Sequence, residues 1–242
     1  MEMKIDIVKC ENLTQSERTD MYSIFSRYYD NVNLFRFETD LKKKNWVIQL
    51  RNQSKSIVGF STLEIYRHLG VAGSAMILYS GDTIIDRAYR RNGDLAGAFG
   101  HIILKAIREY SDMPIYWLLT SKGVRTYRFL PVFFNIFYPI FNKQTPENIK
   151  LLIHEIALEK FGSKYSPETQ VIYHNEKRDY LRASEHDSLL LKRSDPYIHF
   201  FLQQNPGYII GDELVCIAEI SEKNLNSRAC RVINHTEVYW RE

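Results

Sequence analysis

The chain has 242 residues, enough for one elaborated domain or two small ones with a sizeable core. Its 45% hydrophobic and 25% charged residues are ordinary for a globular protein, and a dispersed net charge of +3 gives no footing for nucleic-acid binding. Three cysteines (Cys10, Cys216 and Cys230) form no CxxC pair, and the first residues lack an apolar leader core, so the expectation is a reduced, cytoplasmic protein.

In chain order, Thr14 to Tyr29 reads as a helix, with Thr14 as cap and Glu17 as its capping-box partner. Met21, Ile24, Phe25 and Tyr28 fall on one face. Lys42-Lys43-Lys44 reads as a solvated charge run. Asn45 to Leu50 and Ile57 to Tyr66 read as a hairpin across the polar turn Asn52-Gln53-Ser54-Lys55. Gly70 to Gly73 is a break. Ser74 to Ile85 is a third strand, and its interior Gly81 marks a bulge or a close backbone approach.

A basic loop follows, then the clearest helix in the chain, with Leu95, Phe99, Ile102, Ile103, Ala106, Ile107 and Tyr110 at helical spacing. Ile115 to Thr120 is a short apolar strand of the kind found inside a sheet. Lys122 to Tyr138 is helical in pattern, with a kink expected at Pro131. Its aromatics fit either the wall of a tunnel for a long acyl chain or, more plainly, a packed core. Phe129 to Phe141 is the nearest approach to a membrane span and is too short. Pro146 to Phe161 is another helix. Residues 163 to 195 are polar and carry no clear pattern, and Asp195 to Gln204 is apolar and ambiguous. Glu213 to Ile220 is a strand, framed by Asn205-Pro206-Gly207 and Gly211-Asp212-Glu213, which read as turn chemistry.

The expected fold is therefore α/β, with a mixed, partly antiparallel sheet flanked by helices in a single domain over 1–242: a core of about residues 5 to 140 and a C-terminal extension. The strand, basic loop and helix around Asp86 to Leu95 form a pocket for a phosphorylated ligand, because the first N–H groups of a helix have no partner within it. No zinc spacing appears among the seven histidines, and no nucleophile elbow or Walker loop is present, so no metal is expected.

The segment Arg90-Arg91-Asn92-Gly93-Asp94-Leu95 resembles the pyrophosphate loop of the GNAT superfamily of N-acyltransferases, roughly Arg-x-x-Gly-x-Gly/Ala. The first Arg and Gly are in register, Leu95 replaces the second small residue, and Arg87 stands where the family has proline. The order of hairpin, strand, loop, helix and short strand is also similar, over about residues 5 to 140; the strand near Leu214 to Ile220 is a further candidate.

The resemblance implies an acyltransferase that uses acyl-CoA, or the phosphopantetheine thioester of an acyl-carrier protein, to acylate an amine. Thr83, Ile84 and Ile85 would serve the pantetheine arm, with Ser121 either touching it or capping a helix. Arg91, Asn92, Gly93, Asp94 and Leu95 would offer amides to the diphosphate, and Arg90, Arg91 and Arg87 would add charge. Asp94 either repels the phosphates or complements the helix dipole. Asp82, beside Ser80, is the candidate base and Glu64 the second; Tyr127 is the candidate acid, ahead of Tyr138. A non-catalytic binding module and a carrier-protein-dependent synthase are the other readings that the resemblance leaves open.

Overall fold

Short apolar runs build one sheet, and amphipathic helices cover both of its faces. The computed structural model describes residues 3–71, 73–90, 93–174, 179–185 and 194–241. It opens with β1 (Lys4–Lys9), α1 (Gln15–Tyr28), β2 (Tyr29–Asp30) and α2 (Leu34–Leu41). Next come β3 (Trp46–Arg51), β4 (Ile57–Gly70), β5 (Gly73–Ile85), α3 (Asp94–Glu109) and β6 (Ile115–Ser121). The extension holds α4 (Val124–Tyr127), α5 (Phe129–Phe133), α6 (Glu147–Phe161), β7 (Tyr165–Ser166), β8 (Val171–Ile172) and β9 (Tyr180–Leu181). It ends with α7 (Pro196–Gln204), β10 (Glu213–Glu219), α8 (Ser227–Asn234) and β11 (Tyr239–Arg241).

Nine of these strands form the main sheet, in the order β11-β1-β3-β4-β5-β6-β10-β8-β7, while β2 and β9 pair separately. The pairs β5/β6 and β1/β11 are parallel and the rest antiparallel. The sheet is thus mixed and mostly antiparallel, with hairpin, strand, loop, helix and short strand in the expected order. One face is covered by α3 and α8, through Leu95, Phe99, Ile102 and Ile103. The other face is covered by α1 and α2 over Val47, Phe60 and Ile84, and by α6 over Ile77, Leu118 and Ile217. No helix among the described residues is long and apolar enough to cross a membrane.

Several expectations need correcting. The capping box of α1 is present as read, with Thr14 and Glu17 exchanging both bonds. The long helix over 122–138 is instead two short helices, α4 and α5. The chain from Phe134 onward is drawn into sheet-like bridges with Leu225 and Ile217. The ambiguous run at 195–204 is helix α7, capped by Asp195. Lys44 is not a solvated charge: it is buried and paired with Asp40 and Glu64.

Candidate active site

β5 and β6 run in register from Met76↔Ile115 to Ser80↔Leu119 and then part. Beyond that point β5 continues to Ile85 paired only with β4, and β6 continues to Ser121 paired only with β10. Two neighbouring strands that separate leave an open wedge whose facing edge of β5 has no strand beside it. At its apex β4 shifts register: Ser61 faces Thr83 but Leu63 faces Ser80, so Thr62 alone opposes both Gly81 and Asp82. This is a β-bulge, which bends a strand and re-aims its side chains. Gly81 is required there, since a Cβ would run into Thr62 and Lys44.

A cavity of about 530 Å³ opens at the bulge, a size suited to a small-molecule site. Asp82 and Thr83 from β5, Thr120 and Lys122 from the end of β6, and Glu213 from the start of β10 line one side. Tyr29 and side chains of α2 line the other. Asp82 is half-buried, and among the described residues no hydrogen bond or ion pair reaches its carboxylate. Burial, reinforced by the carboxylates of Asp40 and Asp179, lifts its pKa to about 7 against the opposing pull of Lys122 and Lys44.

Nearby, Lys122 binds Asp179 at 2.6 Å and lies 3.8 Å from Glu213, which also meets His174 Nε2 at 2.9 Å. Burial works against the charge of Glu213, yet Lys122 and His174 hold its pKa down to about 2. Burial likewise opposes the charge on Lys122, but Glu213 and Asp179 outweigh it and raise the pKa. The phenols of Tyr29 and Tyr79, both on the cavity wall, are pushed up by burial and so stay protonated. Tyr79 Oη lies 3.5 Å from Thr120 Oγ1.

The other residues singled out in the sequence divide sharply. Thr83 is on the wall, bonded to Ser61 at 2.8 Å. Ser80 is buried and accepts from the Trp117 indole at 2.9 Å. Glu64 is the counter-ion of Lys160 and Lys44, at 2.9 and 3.4 Å. Tyr127 is fully buried in the aromatic core and donates to the Pro139 carbonyl at 2.8 Å, so it faces protein and not the cavity. Ser121 neither caps a helix nor reaches the cavity; it is buried and donates to the Gly123 carbonyl. Ile84 and Leu95 are core residues. Lys122, Asp179, Tyr29, Tyr79 and Glu213 were not singled out as catalytic. Lys122 and Glu213 had a usable signal, since each is a charged residue at the end of an apolar strand.

The loop after β5 is only partly the expected anion cradle. Gly93 takes the left-handed conformation (φ 72°) that glycine favours, and α3 begins with no side chain capping it. Arg91 and Asn92 lie outside the described residues. Arg87 and Arg90 turn to Glu185, at 2.6 and 2.7 Å. Arg90 also donates to the Ile85 carbonyl at 2.8 Å and stacks over Tyr28.

No protein-family model matches the chain, and no curated protein sequence does. Among solved structures, the chain is similar to an Enterococcus faecalis protein described as a probable N-acyltransferase. That likeness has TM-score 0.44 and 10% identity over 57% of this chain, and spans only 33% of that protein. It is also similar to Escherichia coli YhbS, a GNAT family N-acetyltransferase in complex with CoA (TM-score 0.38, 11% identity, 53% of this chain and 69% of that one). A Trypanosoma brucei acetyltransferase gives TM-score 0.40 at 15% identity, over 60% of this chain and 98% of that one.

Proposed function

We propose that this protein is an acyltransferase that moves an acyl group from a CoA or carrier-protein thioester to an amine. The observation that supports it most is the Asp82 carboxylate. It has no partner among the described residues, stands at the bulge where β5 and β6 part, and titrates near neutrality. A base poised near the working pH is what removal of a proton from an attacking amine requires. The wedge supplies a strand edge along which an extended arm would lie, with the uncapped start of α3 beyond it for phosphates.

In this reading the amine lone pair attacks the thioester carbonyl carbon, Asp82 accepts the amine proton, and the C–S bond breaks. The leaving thiolate takes a proton from a phenol. Tyr79, on the cavity wall beside Thr120, is better placed for that than Tyr127. Thiol release from acetyl-CoA and longer acyl-CoA donors, against a panel of amines, tests the proposal. Silence across the panel together with tight CoA binding would favour the second reading, a non-catalytic binding module. Leu95, a buried core residue where the resembling loop has a second small residue, is the observation that favours it.

A further inference from the structure

One short run of the extension joins the two strand ends that the wedge separates. Asp179, nearly buried, holds Lys122 just past the end of β6, through its carboxylate at 2.6 Å and its carbonyl at 3.3 Å. Tyr180 and Leu181 then pair with Asp30 and Tyr29. Arg182 is fixed three ways: its amide donates to the Tyr28 carbonyl, its Nη2 to the Ser26 carbonyl, and its Nε pairs with Asp30, all at 3.0 Å. The run ends beyond β5, where Arg87 donates to the Ser184 carbonyl at 2.8 Å and to Glu185 at 2.6 Å. Arg90 ion-pairs with the other oxygen of Glu185 at 2.7 Å.

Residues 179–185 therefore form a strap from the end of β6 to the loop after β5. Its last carboxylate, itself buried, neutralises both described arginines of the loop. A carboxylate hydrogen-bonded to one guanidinium and ion-paired with the other neutralises the same charges that a phosphate would. In the same arrangement Arg90 occupies the Ile85 carbonyl, a backbone group on the part of β5 that β6 has left.

We propose that Glu185 is a built-in counter-anion that competes with the donor's phosphates for Arg87 and Arg90, so that the 179–185 strap gates the thioester slot. This rests on the thioester reading above. The donor would displace Glu185 while Asp179 and Lys122 keep the other end of the strap anchored. A strap that holds the competent state to a minor fraction weakens apparent affinity by that same fraction.

The test is calorimetric titration of CoA into the full chain and into Glu185→Gln, which keeps the shape and removes the charge. The variant is expected to bind CoA about tenfold more tightly, since it releases two guanidinium groups for phosphate. Hydrogen exchange on the unaltered protein gives a second readout, independent of whether the variant folds. The amides of Arg182 and Glu185, bonded to the Tyr28 and Arg182 carbonyls, are expected to exchange faster at saturating CoA. Equal or weaker binding by the variant, or unchanged exchange with CoA bound, overturns the gate and leaves the donor reading standing. Failure of both proteins to bind CoA overturns CoA as the donor and the gate together.

Discussion

Asp82 and Tyr127 show how little residue type says about role. In the sequence each stands out by its place on an element; the structure separates them by what surrounds each. Asp82 faces a cavity, and burial among other carboxylates keeps it protonated until about pH 7. Turnover should therefore rise through that pH as the base is freed, and the profile of kcat/KM reports it. Asp82→Asn should lower kcat by about 10²–10⁴ while circular dichroism stays unchanged, the range typical of a lost general base. An unaltered pH limb in that variant would exclude Asp82 as the base. Tyr127 is the converse. Its hydroxyl satisfies a buried carbonyl, so Tyr127→Phe should cost about 1–3 kcal/mol of stability and leave turnover intact. Tyr79→Phe should instead reduce kcat with little change in melting temperature, and comparing the two variants by assay and thermal melt separates support from chemistry.

At the scale of elements, α3 and α8 approach each other closely enough to leave no room for side chains at two positions. Gly97 and Gly100 of α3 lie directly beneath Thr236 and Ile233, with no room for a Cβ at either position. Gly100→Ala should destabilise the fold by about 1–3 kcal/mol through overpacking, although alanine is the better helix former in isolation. A chemical-denaturation midpoint that rises in the variant would mean α8 is not packed there. This contact also marks where the sequence stopped being readable. α1, the β3–β4 hairpin, β5, α3 and β6 were legible because each carries its own pattern: a capping box, a polar turn or an apolar repeat. β1 escaped because its buried residues include Asp6, whose charge is met by Arg51 of β3 and by Lys4 at the strand's own start. α2 and α8 are eight residues each, too short for a repeat to show. The helix read over 122–138 failed because bridges to Leu225 and Ile217 claim its second half, a tertiary demand that local sequence does not carry. The bulge at Gly81 and the carboxylate of Asp82 beside it were visible, whereas the charges around them come from residues far apart in the chain. Asp179 and Glu185 lie in the stretch with no pattern at all.

Taken as a whole, the molecule places two carboxylates of one cavity under opposite constraints, and this sets how stability and activity diverge with pH. Glu213 is held at about 2 in the fold against an ordinary 4.5, so its contribution is complete above 4.5 and is lost as pH falls toward 2. Asp82 is raised to about 7 from an ordinary 3.8. Between those values the folded chain binds more protons than the unfolded one, so Asp82 lowers stability progressively as pH rises from about 4 to 7, and by a constant amount above. Across the same window the proposed base becomes competent, so turnover by the proposed mechanism would gain where stability is given up. Thermal melts over pH 4 to 9 should show Asp82→Asn gaining on the parent from pH 4 upward and levelling near pH 7. In melts extended down to pH 2, Glu213→Gln should lie below the parent at neutral pH and converge with it as pH falls from 4.5 toward 2, because the parent then loses the charge that the variant never had. A melting difference for Asp82→Asn that stays flat across pH 4 to 7 would show that the carboxylate is solvated in the folded protein, and the cavity would lose its poised base.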